Sequence, residues 1–175
     1  MKTKIIVITA LLAMLAAGHI KAQNPQLPKK VGDVELLALD GNAAMLPNFG
    51  KKNLLIFYID PDKHKQNEAF TIEMEENHKA EGDNLYGFGI MNLADAPLVP
   101  NKVARALAKK RTEKNGATVL ADQNHILRDA WGLGDCNNMF VLMVVSREGE
   151  LVYCHKGELS RKEIDDFYKF IEPYK

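Results

Sequence analysis

Leu54-Leu55-Ile56-Phe57-Tyr58-Ile59 is an apolar run with no polar interruption. A strand with one wet face alternates polar and apolar residues, so an unbroken run of this length marks a central strand covered on both faces. The flanking chain supplies the covering layers. Val34 to Leu39 reads as a strand and ends at Asp40-Gly41, which favours a tight hairpin turn of type I′. Gln66 to Lys79 fits a half-exposed helix. Leu85 to Met91 fits a strand, although Gly87 and Gly89 weaken it. Asn101 to Lys114 is a basic amphipathic helix with Val103, Ala104, Leu107 and Ala108 on one stripe.

The second half continues the alternation. Ala117 to Ala121 reads as a short strand, His125 to Trp131 as a short helix stopped by Gly132, and Phe140 to Val145 as a strand. Arg147-Glu148-Gly149-Glu150 turns the chain back into Leu151 to Cys154. Ser160-Arg161-Lys162-Glu163 has the form of a capping box, and Ile164, Phe167, Phe170 and Ile171 follow on one helix face. The expected architecture is a single three-layer α/β domain.

Of the 175 residues, 46% are hydrophobic and 26% charged, the profile of one ordinary folded domain. The first residues are set apart from it. Lys2 and Lys4 precede the uncharged run Ile5 to Ala17, and small Ala22 stands before Gln23. This is the layout of a secretory signal peptide, residues 1–22, too short in its apolar part to span a bilayer. Residues 23–32 then form a leader and 33–175 the domain. No cysteine stands near the cleavage point, so a lipid anchor is not expected, and the mature protein is expected in a periplasm without membrane contact. Basic and acidic residues balance at 23 each, and three of the lysines lie in the export segment. The remainder is slightly acidic and has no electrostatic hold on a nucleic acid.

Lys30-Val31-Gly32-Asp33, the following strand, Asp40-Gly41 and an apolar strand ending at a helix resemble the entry of peroxiredoxins and related thiol oxidoreductases. The strand–turn–strand around Arg147-Glu148-Gly149-Glu150, Lys156-Gly157 and the capped helix resemble the ββα close of thioredoxin. Val119-Leu120-Ala121-Asp122 through Ala130-Trp131-Gly132-Leu133 is similar to the YtfJ-type family of periplasmic proteins. The resemblance implies a thioredoxin-like fold: a central mixed sheet with an N-terminal β-hairpin extension and a C-terminal ββα unit.

Active thioredoxins carry Cys-x-x-Cys just after the first central strand, where a helix N-terminus lowers the thiol pKa. Matching that strand end places Asp62 and Lys65 at the two cysteine positions, with Asp60 beside them. The family's cis-proline falls near Phe140 or Val141, and neither is proline. The resemblance therefore implies the fold without dithiol chemistry, a binding or accessory module for a periplasmic protein or small molecule, with no cofactor.

Two other readings stay open. Asp60-Pro61-Asp62 after an apolar strand also resembles the start of a haloacid-dehalogenase-type phosphatase, with Asp60 as nucleophile. That reading needs a later acidic pair at a strand end, whereas Asp165-Asp166 lies within an amphipathic helix; capping by Asp60 and Asp62 around Pro61 explains the motif more simply. The histidines have no metal-ligand spacing, so no metal site is expected.

The remaining reading is a thiol oxidoreductase or peroxidase working through Cys136 alone. With Glu148-Gly149 at the hairpin turn, Ser146 faces Leu151 and Cys154 lies opposite Met143. Cys136 would then be roughly 23 Å from Cys154 along an extended strand, too far for a disulfide. Cys154 is expected to be buried and inert, and Cys136 to be a loop thiol open to alkylation, slowed by Asp135.

Overall fold

The computed structural model describes residues 25–96 and 100–175. The export segment 1–22 and the cleavage point after Ala22 lie outside the described residues. Eight strands form one mixed sheet: β1 (Lys29–Lys30), β2 (Glu35–Ala38), β3 (Ala43–Met45), β4 (Asn53–Ile59), β5 (Leu85–Asn92), β6 (Val119–Asp122), β7 (Phe140–Val145) and β8 (Glu150–Lys156), in the spatial order β1-β8-β7-β4-β5-β6-β2-β3. Among the described residues, four helices accompany it: α1 (Glu68–Glu76), α2 (Asn101–Asn115), α3 (Ile126–Ala130) and α4 (Arg161–Ile171).

The apolar run becomes β4, the centre of the sheet, parallel to β5 and antiparallel to β7. Its residues divide by parity. Leu54, Ile56 and Tyr58 enter a core with Leu36, Trp131, Met143 and Cys154, beneath α3 and the loops around it. Leu55 enters a second core on the opposite face with Phe70 of α1 and Ile164, Phe167 and Ile171 of α4; Phe57 and Ile59 pack against it half-buried. Each fully buried aliphatic or aromatic side chain of this kind contributes about 1.5–3 kcal/mol relative to exposure.

Chain reversals depart from the expected forms in a consistent way. Both hairpins have three-residue loops: Ala38 N–H donates to Asn42 and Gly41 N–H to Ala38, while Ser146 N–H donates to Glu150 and Gly149 N–H to Ser146. Gly41 and Gly149 have φ of +95° and +76°. The two-residue type I′ turn expected at Asp40-Gly41 is thus replaced by a loop that needs positive φ only at its last residue. Asp40 instead accepts from Asn42 N–H. In the second hairpin Met143 faces Cys154 as expected, but a bulge at Val152 pairs Val145 with Leu151.

Helix α1 is shorter than the apolar spacing suggested. His78 takes a left-handed φ of +52°, with His78 N–H bonded to Glu75 and Lys79 N–H to Met74, so the backbone closes the helix after Glu76. The same closure at Gly132 ends α3, with Leu133 N–H on Arg128. At α4 the capping box is present in both directions: Ser160 Oγ accepts from Glu163 N–H, and Glu163 accepts from Ser160 N–H at 2.7 Å.

Candidate functional site: the pole at the end of the central strand

The chain leaves β4 into Asp60, whose side chain is fully buried. A carboxylate is costly to bury without hydrogen bonds, and two backbone donors supply them. Asp62 N–H reaches Oδ1 at 2.9 Å and Asn138 N–H reaches Oδ2 at 2.8 Å, while Asp60 N–H donates to Met139. Asp60 therefore caps the short 3₁₀ turn Pro61–Lys63 and ties it to the loop before β7. Two further ties follow. Gln66 Oε1 accepts from Phe140 N–H, and the Asn67 amide bridges Gly157 and Leu159 near the end of β8.

Asp62 and Lys65 thus lie before α1, which opens only at Glu68 after Asn67 has taken a left-handed φ. The expected helix entry at Gln66 is displaced, and Asp62 accepts no capping bond among those described. The phosphatase reading fails at its first residue: Asp60 is inaccessible and both carboxylate oxygens are engaged. Asp165 and Asp166 pair on the surface of α4 with Arg161 and Lys162.

Cys136 overturns the expectation of an open loop thiol. The chain folds back after it, with Asn138 at φ +55°, and the residue is buried in the core shared with Trp131, Tyr58 and Cys154. Lys156 fixes the fold-back by donating to the Leu133 and Asp135 carbonyls. Its attachment beside Cys136, two residues along β8 from Cys154, also invalidates the extended-chain separation of the two thiols. Both cysteines are free. Burial is the largest influence on each, pushing Cys136 up to about 11 and Cys154 to about 12; Lys156 pulls both down without reversing the shift.

The four residues singled out from sequence do not converge. Asp60 and Asp62 are neighbours, Lys65 is exposed, and Cys136 lies in the core on the other side of the sheet. What occupies the pole is a cleft of about 370 Å³ between the sheet and α2. Phe57 and Ile59 of β4, Met91 of β5 and Val119 of β6 wall the sheet side; Ala104, Leu107 and Ala108 wall the helix side; Asp62 and His64 stand at the rim. Gly89 lines the sheet side, where a Cβ would sit 3.3 Å from Val119. Leu107 remains 57% exposed, so the helix does not close the cleft.

A second polar cluster, not anticipated from sequence, lies at the same strand ends. Buried Asp122 accepts from the Ile126 and Leu127 N–H groups at 2.8 and 3.0 Å, capping α3, and from Tyr58 Oη at 3.2 Å. Burial and this neighbouring carboxylate push the Tyr58 phenol well above its ordinary range. Asp95 joins His125 Nε2 at 2.8 Å and Asn92 Nδ2 at 2.6 Å. The signal for Asp122 was an acidic residue four positions before the helix, visible but not read as a cap.

Among solved structures, a DsbF homologue from Corynebacterium diphtheriae superposes with a TM-score of 0.62 at 14% identity, covering 90% of this chain and 96% of that one. The exposed lipoprotein thioredoxin Etrx1 of Streptococcus pneumoniae gives 0.59 at 20% identity, covering 79% and 99%. The chain has a thioredoxin-like fold. A peroxiredoxin-like protein from Aquifex aeolicus shares it with a TM-score of 0.58 at 12% identity, covering 85% of this chain and 89% of that one. No protein-family model matches the chain, and no curated protein matches its sequence. The end of the central strand presents Asp62, Lys65 and the apolar cleft. Among the described residues, no helix is long and apolar enough to cross a membrane.

Proposed function

We propose that this is an exported thioredoxin-fold binding module of the YtfJ type, acting in the periplasm without dithiol redox chemistry. The observation that carries the reading is the state of the sulfur. A thiol-exchange enzyme needs an accessible thiolate near a helix N-terminus. The resemblance to thioredoxins would put Asp62 and Lys65 at the two dithiol positions, and both cysteines are buried with raised pKa values. The single-cysteine reading through Cys136 loses its support for the same reason. Export is supported by the basic, apolar and small-residue pattern of residues 1–22. The expected partner is a periplasmic protein or a small molecule, and the cleft at the pole gives it a place to bind.

Insulin reduction with a chemical reductant as electron source tests this reading. The expected result is a rate no higher than the reductant alone. Turnover comparable to a thioredoxin, abolished by replacing Cys136 or Cys154, overturns it.

A further inference from the structure

The cleft between β5 and α2 has chemistry specific enough to name what it takes. Gly89 lies on its sheet side, and the facing helix lines it with Ala104, Leu107, Ala108 and Thr112, of which the two alanines leave the most room. Glycine inside a strand often marks a close approach by a ligand or another backbone. The resulting space of about 370 Å³ lies within the range of small-molecule sites and is lined largely by apolar side chains.

The rim selects the polar end of the occupant. His64 Nδ1 lies 2.9 Å from the Pro61 carbonyl. A carbonyl can only accept, so Nδ1 donates and neutral His64 retains Nε2 as an acceptor. Asp62 adds a carboxylate that accepts no hydrogen bond among those described. Both rim groups therefore suit a donor. A full charge on that donor is disfavoured from either sign: an anion meets Asp62, while a cation meets Lys63 and Lys65 on either side of His64. Burial in the apolar cleft adds a desolvation cost to either charge.

We infer that this cleft binds an uncharged, mainly hydrocarbon molecule ending in a hydroxyl, with the hydrocarbon over Gly89 and the hydroxyl donating to Asp62 or His64. The inference deepens the reading of the pole as a binding site. The insulin assay remains independent of it: a redox-silent protein that fails to bind such a molecule overturns the ligand class and leaves the redox reading standing.

The test titrates the purified full chain with 2-naphthol, naphthalene and 2-naphthoate, followed by naphthyl fluorescence and by heteronuclear NMR shifts. Saturable binding of 2-naphthol is expected, with the largest shifts at Gly89, Ala104 and Ala108. It should be about tenfold tighter than naphthalene, the equivalent of one net hydrogen bond, and at least as far ahead of the carboxylate. Ala108→Phe, which fills the cleft from a half-exposed helix position, should abolish binding while leaving the urea midpoint near wild type. Val103→Lys, outside the lining, should leave binding intact. The double replacement Asp62→Leu with His64→Phe, which removes both rim acceptors, should level 2-naphthol with naphthalene without removing either. Absence of saturable naphthol binding, binding that survives a folded Ala108→Phe variant, or 2-naphthoate binding as tightly as 2-naphthol each overturns the inference. If Ala108→Phe fails to fold, the naphthol-to-naphthoate ratio and the location of the NMR shifts decide.

Discussion

Replacing Asp60 separates a structural carboxylate from a catalytic one. In wild type its two oxygens accept from Asp62 N–H at 2.9 Å and Asn138 N–H at 2.8 Å. Hydrogen bonds to an ionised group contribute about 1.5–3 kcal/mol each, which sets an upper value near 6 kcal/mol for losing both. Two effects reduce it. Asp62 and Asn138 are themselves exposed, so water can reach the released donors, and the variant no longer desolvates a carboxylate. Asp60→Ala should therefore cost about 2–4 kcal/mol, a large share of the 5–15 kcal/mol typical of a domain. Asp60→Asn keeps one acceptor but turns an amide N–H toward a donor, and should cost about 1–2 kcal/mol. Asp62→Ala is the control: its exposed side chain holds nothing in place, and the change should stay within about 0.5 kcal/mol. Urea unfolding followed by circular dichroism gives all three values, provided the m-values agree. An Asp60→Ala protein as stable as Asp62→Ala would refute the assignment of Asp60 as the tie between the 3₁₀ turn and the β7 loop.

Mild alkylation of the native protein should label neither cysteine, and denaturation should expose both; native labelling at Cys136 would return it to the surface and reopen the single-thiol reading. Ile56→Ala should cost about 3–4 kcal/mol and Phe57→Ala less, about 1–3 kcal/mol, because Ile56 is fully buried while Phe57 borders the open cleft. The reverse order in denaturant midpoints would mean the two faces of β4 are exchanged. Stability should also fall at alkaline pH. Both thiols titrate higher in the folded protein than their ordinary value of 9.0, so above pH 9 the unfolded state binds fewer protons and gains. By pH 10 each should cost about 1.4 kcal/mol, a loss that Cys136→Ala with Cys154→Ala should remove.

The order of elements was legible because periodicity carried it. β4 is marked by the unbroken apolar run Leu54 to Ile59, α4 by Ser160 and Glu163, and the end of α3 by Gly132, all local signals acting through backbone conformation or burial. Errors arose where one segment is defined by another. Nothing within Gln66 to Lys79 says that His78 will adopt a left-handed φ and stop the helix. The two-residue form at Asp40-Gly41 was equally reasonable, but Asp40 satisfies Asn42 N–H with its side chain and leaves positive φ to glycine alone. An extended chain after Cys136 keeps it far from Cys154, whereas the chain folds back. The fold-back depends on Lys156, twenty residues later, supplying donors to the Leu133 and Asp135 carbonyls. A contact of that separation leaves no trace in the loop's own composition.

Gly87 and Gly89 show how one signal can be weighed in the wrong direction. In sequence they counted against a strand, since glycine lacks a side chain to pack and loses more backbone freedom on folding. In the sheet, β5 is held by parallel pairing to β4 on one side and β6 on the other, so the ladder offsets that cost without help from glycine side chains. At Gly89 the missing side chain falls on the face of the sheet that lines the cleft beneath α2. The buried thiols and the cleft arise from separate features: the former from the fold-back at Cys136 and the packing of Cys154, the latter from the glycine and alanines that line it. These features need not rise or fall together, and that independence is why insulin reduction and naphthol binding can give different answers for one molecule.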